Sequence, residues 1–247
     1  MSNKEDLDKA ISDFSEAIRL NPNDAEAYHN RGYAYGKKED HDKAISDFSE
    51  TIRLNPNDAN AYNNRGLAYQ HTKDYGKAMS DYTEAIRLNP NNSYAYGNRG
   101  DAYSKKRDYE KAISDFSEVI RLNPNDAYAY VHRGLVYQHI GDHDKAISDY
   151  AEAIRLNPND AMAYNNRGCA YDYEKDYDKA ISDYTESIRL NPNNSYAYGN
   201  RGDAYREKGD YDRAIADYES VLRINPNHFL AQDNLDELKS LLKEAKK

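Results

Sequence analysis

Hydrophobic residues recur along this chain at intervals of three and four, in pairs of segments separated by short polar turns. Tyr28 and Tyr35 mark one such segment, and Ile45, Phe48 and Ile52 mark the next. Spacing of three and four places apolar side chains on one face of an α-helix. The pattern therefore predicts pairs of amphipathic helices, and it returns in every later part of the chain.

Prolines fix the period of this pattern. Each proline lies in an Asn-Pro-Asn triplet, 34 residues after the previous one. Because proline ends a helix and disfavours helix in the residue before it, each triplet is predicted to close a unit. A fixed period of this length indicates a repeat array built from helix-turn-helix hairpins. The triplets contain Pro22, Pro56, Pro90, Pro124, Pro158, Pro192 and Pro226.

The period divides the chain into six complete repeats with a partial unit at each end. Residues 1–24 match only the second helix of a unit, and residues 229–247 carry leucines along one face, as expected of a capping helix. We therefore predict one all-α array over residues 1–247, an α-solenoid, instead of two globular domains. The complete repeats are 25–58, 59–92, 93–126, 127–160, 161–194 and 195–228.

Small residues recur where the two helices of a unit are expected to cross. A glycine lies at one position of every first helix, and an alanine at one position of every second helix. Close helix crossings need such positions without bulk, so these residues are predicted to be structural. They are Gly32, Gly66, Gly100, Gly134, Gly168 and Gly202, with Ala44, Ala78, Ala112, Ala146, Ala180 and Ala214.

These positions resemble the tetratricopeptide repeat family, and the resemblance covers nearly the whole chain. It implies a right-handed superhelix of antiparallel hairpins whose concave face binds proteins or peptides. The main departure is an arginine such as Arg65, where the family usually has leucine. In the second repeat the family pattern falls on Tyr62, Gly66, Tyr69, Ala78, Tyr82, Ala85 and Pro90.

The departing arginine is matched by an aspartate on every second helix. Two opposite charges that recur in step favour pairing, because a guanidinium binds a carboxylate through two parallel hydrogen bonds. We predict a partly buried Arg-Asp ladder with a structural role. Its members are Arg31, Arg65, Arg99, Arg133, Arg167 and Arg201, with Asp13, Asp47, Asp81, Asp115, Asp149, Asp183 and Asp217.

Composition excludes several functions. The net charge of -9 opposes nucleic-acid binding, which needs clustered cations, and retention on RNA at physiological salt would contradict this prediction. The chain has neither an 18-residue apolar window nor the apolar start of a signal peptide, so we expect no membrane partner and a cytoplasmic location. Cys169 is the only cysteine, which excludes an intrachain disulfide.

A ladder of asparagines follows the first helices on the side opposite the packed tyrosines and glycines. The family resemblance implies that this side lines the groove, and the ladder resembles the one in the repeats of O-GlcNAc transferase. An amide can satisfy both N–H and C=O of an extended peptide, although it could equally brace adjacent first helices. The ladder comprises Asn30, Asn64, Asn98, Asn166, Asn200 and Asn234, and His132 interrupts it.

Aromatic and acidic residues accompany the ladder. Tyrosine offers contact area at low entropic cost, which favours peptide capture. The C-terminal half of the groove has an acidic character, which comes from Asp101, Asp172, Asp203 and Glu207. We therefore predict a neutral or mildly basic partner segment. The tyrosines are Tyr33, Tyr94, Tyr128 and Tyr196.

Enzyme chemistry is not indicated by any motif. The chain has no glycine-rich phosphate loop, and its carboxylates recur with the repeat. His139 and His143 are separated by Gly141 and a predicted turn, so we expect neither a metal nor a cofactor. We predict a scaffold without enzymatic activity that binds a protein or an extended peptide. The alternative is a structural or designed array that self-associates through its open ends.

One stretch of sequence occurs twice. The residues 87–103 are identical to residues 189–205, which lie 102 residues further on. This distance equals three repeats, and it predicts that the two copies present the same surface.

Overall fold

The computed structural model describes residues 4–244, which form helices and turns without a strand. Their contacts divide into two compact units, one ending at Pro124 and one beginning at Asn125. Both units consist of antiparallel hairpins, which confirms the predicted all-α, α-solenoid fold class. The ends of the predicted half repeat and capping helix, residues 1–3 and 245–247, lie outside the described part of the chain.

The described part of the first unit, residues 4–124, contains seven helices. The half repeat supplies α1, which packs on α2, and the pairs α2 with α3, α4 with α5 and α6 with α7 form three hairpins. The first helices of successive hairpins, α2, α4 and α6, also contact one another in turn. The helices are α1 Lys4–Leu20, α2 Ala25–Lys37, α3 His41–Leu54, α4 Ala59–His71, α5 Tyr75–Leu88, α6 Ser93–Lys105 and α7 Tyr109–Leu122.

The second unit also contains seven described helices. Three hairpins, α8 with α9, α10 with α11 and α12 with α13, are followed by α14, which packs on α13 at the place predicted for a capping helix. Here α8, α10 and α12 contact one another in turn. The helices are α8 Ala127–His139, α9 His143–Leu156, α10 Ala161–Tyr173, α11 Tyr177–Leu190, α12 Ser195–Glu207, α13 Tyr211–Ile224 and α14 Phe229–Glu244.

Asparagine and aspartate side chains form the connection between hairpins. After α3, Asn55 Oδ1 accepts a hydrogen bond from the Asn57 backbone N–H at 3.4 Å, which closes a turn around Pro56. Asp58 then caps α4, since its Oδ1 accepts from the Ala61 N–H at 3.0 Å. The Asn-Pro-Asn triplet therefore ends one helix and leads directly to the cap of the next.

The turn inside each hairpin uses the left-handed backbone region. Gly141 and Gly209 lie in this region, with φ values of 79° and 75°. Glycine adopts such values readily because it has no Cβ. Other hairpins place a polar L-residue at this position, which costs conformational energy. These residues are Glu39, Lys73, Arg107 and Lys175, with φ between 61° and 64°.

The predicted small residues lie against aromatic rings. A Cβ added to Gly66 on α4 would lie 2.7 Å from Cε1 of Tyr82 on α5, closer than packed atoms tolerate. Ala78, on the same second helix as Tyr82, is fully buried. This confirms that the small residues let the helices cross closely. The second-helix rings that lie against these glycines are Phe48, Tyr82, Phe116, Tyr150, Tyr184 and Tyr218.

The Arg-Asp ladder also forms as predicted within each hairpin. Arg65 on α4 donates from Nε and Nη2 to the two carboxylate oxygens of Asp81 on α5, both at 2.8 Å. Its Nη1 donates to Ser49 Oγ on α3 at 3.0 Å. Asp13, the copy on α1, is exposed. The arginine thus joins its own hairpin to the preceding one.

Candidate functional site

The predicted groove residues lie on the first helix of each hairpin and on α14. All members of the asparagine ladder are half-buried, so their amides reach the surface without being fully solvated. The tyrosines beside them are much more open. Their exposed fractions are 52% for Tyr33, 80% for Tyr94, 51% for Tyr128 and 75% for Tyr196.

In the first unit two ladder amides, those of Asn64 and Asn98, contact the preceding hairpin. Asn98 Nδ2 on α6 donates to Asn63 Oδ1 on α4 at 3.0 Å. Asn64 Nδ2 lies 3.3 Å from Nε2 of His29 on α2, which is within hydrogen-bond distance. The partner is in both cases the residue just before the ladder position, one repeat earlier. Bracing of adjacent first helices was the alternative that the sequence left open for the ladder, and these contacts show that its partner is a polar residue at the preceding position.

The same brace occurs in the second unit only where the preceding residue is polar. Asn200 Nδ2 donates to Asn165 Oδ1 at 3.3 Å and lies 3.3 Å from Cys169 Sγ. Asn166 has Val131 at the corresponding place, and its side chain makes no hydrogen bond within residues 4–244. The ladder therefore contains braced and unbraced amides.

The braced amides keep hydrogen-bonding capacity. A primary amide has two N–H donors and a carbonyl acceptor. Asn98 and Asn200 each donate in the contacts above, and neither carbonyl oxygen accepts a hydrogen bond from the part of the chain that the structure describes. Bracing and ligand binding are thus compatible in one side chain.

Four predicted residues line a cavity of ≈ 420 Å³ in the second unit, between α12, α13 and α14. In this lining, Asp203 Oδ1 accepts two hydrogen bonds, one from Tyr218 Oη at 2.7 Å and one from Asn234 Nδ2 at 3.3 Å. These bonds orient the carboxylate towards the protein. The predicted residues in the lining are Tyr196, Asn200, Asp203 and Asn234.

Carboxylates also lie close together on α10 and α12. Burial raises the pKa of Asp172, and the nearby charges of Asp203 and Glu207 raise it further. These three carboxylates give this part of the second unit an acidic character, although the cation Arg206 also lines the cavity. Burial likewise raises the pKa of the Cys169 thiol, which favours its neutral form.

A smaller cavity of ≈ 150 Å³ lies in the first unit, between α2, α3 and α4. Tyr33 and Asn64 are its only lining residues that the sequence analysis placed in the groove. The imidazoles of His41 and His71 also line it and stack with ring centres 4.5 Å apart. The other lining residues are Gly36, Lys37, Ala44, Phe48, Leu67 and Ala68.

The remaining predicted residues lie apart from these two cavities. Asn30 makes no side-chain hydrogen bond within the described chain, and Asp101 is half-buried on α6. On α8 the rings of Tyr128 and His132 stack with centroids 3.8 Å apart. His132, which interrupts the asparagine ladder, thus contributes an aromatic surface in place of an amide.

Two further properties concern residues 4–244 as a whole. No three His, Cys, Asp or Glu side chains there lie together in a way that could hold a metal ion. None of the helices combines the length and the apolar content that crossing a bilayer requires. His139 ends α8 and His143 begins α9, so the two histidines belong to different helices, as predicted.

Helical hairpins that pack in sequence define the class of helical-repeat proteins. Family models described as tetratricopeptide repeat match residues 25–58, 59–92, 81–114, 98–161, 161–194 and 195–228, and one described as TPR repeat matches 3–39. The chain belongs to the tetratricopeptide repeat family.

Solved structures agree with this assignment. YrrB, described as a TPR protein with an unusual peptide-binding site, is 25% identical with a TM-score of 0.65, over 75% of this chain and 96% of its own. MamA is 28% identical with a TM-score of 0.64, over 68% and 92%. A TPR protein from Cytophaga hutchinsonii shares the fold, with a TM-score of 0.75, 20% identity and coverage of 93% and 94%.

The comparison with curated proteins gives no match. The repeats and the structural neighbours support a role as a protein-interaction scaffold. Scaffolds of this family are generally non-enzymatic.

Proposed function

We propose that the chain binds an extended segment of a partner protein along the first-helix face of its hairpins. The observation that carries this proposal is the hydrogen-bonding state of the ladder. Asn98 and Asn200 hold the scaffold through their N–H groups and retain a carbonyl oxygen that can accept from a peptide N–H. Asn166 retains its whole amide.

The spacing of the ladder suits an extended peptide. Packed helices lie about 8–10 Å apart, and an extended chain covers roughly 3.3–3.6 Å per residue. Each ladder amide would therefore meet about every third peptide residue. Contacts to the peptide backbone do not depend on peptide side chains, so the exposed tyrosines and the cavities would supply selectivity.

The charge of the second unit favours a neutral or mildly basic segment on that unit. Asp172, Asp203 and Glu207 concentrate negative charge there, and an approaching basic side chain would relieve their repulsion. The structure of YrrB, with its described peptide-binding site, is a precedent for peptide binding on this fold.

The experiment compares two asparagine substitutions in the second unit. Peptides captured from a random library by the natural chain are titrated against Asn166→Ala and Asn159→Ala by fluorescence anisotropy. Asn159 is an exposed turn residue with the same chemistry, so its replacement is the matched control. We expect Asn166→Ala to weaken binding by about 3–10-fold, since one hydrogen bond contributes about 0.5–1.5 kcal/mol, and Asn159→Ala to change nothing.

Circular dichroism and urea midpoints confirm that the variants remain folded. Because Asn166 has no hydrogen-bond partner within the described chain, its loss should not move the midpoint. Equal affinity of both variants would overturn the ladder as a peptide-binding element. A chain that captures no peptide, and whose mass rises with concentration in sedimentation, would favour the alternative of an array that self-associates through its ends.

A further inference from the structure

The small cavity of the first unit has a specific origin in the sequence, and we name it the Phe48 pocket after the ring in its wall. In the next hairpin, Gln70 on α4 accepts a hydrogen bond from the Tyr82 hydroxyl at 3.0 Å. In the fourth repeat, Gln138 accepts from Tyr150 at 2.9 Å. These glutamine and hydroxyl groups fill the space between the helices.

The first hairpin lacks both groups. Gly36 stands where the later hairpins carry Gln70 and Gln138, and Phe48 stands where they carry the tyrosines. A Cβ added to Gly36 would find only Ala44 Cβ nearby, at 4.0 Å, so the space beside it is open. The third hairpin also lacks the glutamine and the hydroxyl, with Ser104 and Phe116 at these positions, but only the first has no side chain at all beside its phenylalanine.

Much of the pocket wall is apolar, Asn64, His41 and His71 add polar groups to the lining, and the rim is basic. Ala44, Phe48, Leu67 and Ala68 contribute to its walls. No carboxylate lines it, although the chain as a whole carries a net charge of -9. Its charged lining residue is the cation Lys37, which forms no ion pair among residues 4–244.

The position of Lys37 defines the mouth of the pocket. Its Nζ lies 5.2 Å from the centre of the Tyr33 ring, and this ring is 52% exposed. An ammonium group and a phenol hydroxyl are therefore available beside the opening. Both can donate hydrogen bonds to a carboxylate.

We propose that the Phe48 pocket receives the phenyl ring of a phenylalanine in the partner segment, with an adjacent acidic residue bound by Lys37. A volume of about 150 Å³ is large enough to hold benzene, and Ala44, Phe48, Leu67 and Ala68 supply the apolar wall that a phenyl ring would contact. The inference rests on the proposed function, because the pocket opens on the same first-helix face as Asn64. It assigns to the first unit a selectivity opposite in charge to that of the second.

The experiment uses blocked, labelled pentapeptides with the sequence Gly-Asp-Phe-Asp-Gly and the full chain. Replacing the peptide Phe by Ala, or both Asp by Lys, should weaken binding by about tenfold or more, as expected for losing a buried ring or its charge partner. The double variant Gly36→Gln, Phe48→Tyr imports the side chains of the second repeat and should bind the Phe and Ala peptides equally weakly.

Three results would overturn the pocket: no binding of the Phe peptide, equal binding of the Phe and Ala peptides by the natural chain, or full retention of Phe selectivity in the double variant. Lys37→Glu supplies a second variant and should reverse the preference between Asp-flanked and Lys-flanked peptides. In the natural chain, NMR should show shifts of the Leu67 and Ala68 methyl signals with the Phe peptide but not with the Ala peptide. Absent shifts would equally contradict the proposal.

The failure of this proposal is distinguishable from failure of the ladder. Asn166 lies in the second unit and does not line the pocket. If library peptides lose affinity with Asn166→Ala but the pocket does not distinguish the Phe peptide from the Ala peptide, the ladder proposal holds and the pocket proposal fails. If the Phe peptide binds selectively but Asn166→Ala has no effect on library peptides, the pocket proposal holds and the ladder proposal fails.

Discussion

At the scale of the residue, Arg65 shows how a departure from the family pattern becomes part of the scaffold. Its guanidinium binds Asp81 on α5 and Ser49 on α3, and lies 5.6 Å from the Tyr62 ring centre. Leucine, usual at this position, would supply packing without these bonds. The ionic pair fixes direction as well as distance, because two parallel hydrogen bonds are made only in one orientation.

We predict that Asp81→Asn destabilises the first unit by about 3–5 kcal/mol, because it leaves the Arg65 charge partly buried without its counterion. Combining Arg65→Leu with Asp81→Ala should restore most of that loss, since the buried charge is then removed. Urea unfolding followed by circular dichroism measures both effects. Glu84→Gln, at an exposed ion pair with Arg87, is the control and should leave the midpoint unchanged. An unchanged midpoint for Asp81→Asn would contradict a structural role.

The recurrence of Arg and Asp predicted their pairing, since opposite charges that keep the same spacing through six repeats usually bind each other. The partners of the asparagines were not equally predictable. An amide can donate and accept in several directions, and the periodicity of Asn64 and Asn98 is the same whether they contact protein or ligand. Only the side-chain geometry showed that Asn98 contacts Asn63.

At the scale of the element, glycines determine how closely the two helices of a hairpin approach. A Cβ on Gly202 of α12 would lie 2.9 Å from Cε1 of the buried Tyr218 on α13. On the same helix, a Cβ on Gly199 would lie 3.9 Å from Val221 Cγ2, an ordinary contact. Only one of these two glycines is therefore required by packing.

Gly202→Ala and Gly199→Ala are expected to have opposite effects on stability. The first overpacks the crossing and should destabilise the second unit by about 1–3 kcal/mol. The second removes a flexible residue from a helix interior and should stabilise it by roughly 0.5–1 kcal/mol. Thermal or urea unfolding of the two single variants measures both signs. A loss of stability from Gly199→Ala that equals the loss from Gly202→Ala would contradict this assignment.

The turns were less predictable than the helices. The polar residues around Lys73 indicate a turn, but a left-handed conformation is normally signalled by glycine, as at Gly141. The helix ends on either side, fixed by packing and by the Asp74 cap, require Lys73 to adopt φ of 64°. Repetition of the hairpin thus imposes a backbone conformation that the local sequence does not favour.

At the scale of the whole molecule, four buried tyrosines repeat across the two units. Burial raises the pKa of each phenol above its usual value of 10.0, because the anionic form would lose its hydration. The corresponding positions in two other hairpins are Phe48 and Phe116, which shows that the fold accepts a ring without a hydroxyl. The four residues are Tyr82, Tyr150, Tyr184 and Tyr218.

The buried phenols make stability depend on alkaline pH. A pKa that is higher in the folded than in the unfolded chain gives a contribution that is complete below pH 10 and is lost as pH rises above it. We expect phenolate absorbance to rise in two phases, with the second accompanied by loss of helix. A variant with all four tyrosines changed to phenylalanine should stay helical to higher pH. If both chains lost their helices at the same pH, the buried phenols would not be the cause.

The period of 34 residues predicted the hairpins and their order, since both follow from repeated apolar spacing. The Phe48 pocket was not predicted, although Gly36 and Phe48 are visible in the sequence. Each is unremarkable alone, and only the hydrogen bond between Gln70 and Tyr82 shows that they remove two halves of one contact. The pocket therefore arises at positions where one repeat differs in sequence from the others.

The identical segments 87–103 and 189–205 have a consequence for stoichiometry. They place Tyr94, Gly97 and Asn98 on α6 of the first unit and Tyr196, Gly199 and Asn200 on α12 of the second. A short ligand that recognises one of these surfaces would find the other as well, so two molecules would bind each chain. A partner that carries the recognised motif twice would gain avidity, provided that its linker spans the two surfaces.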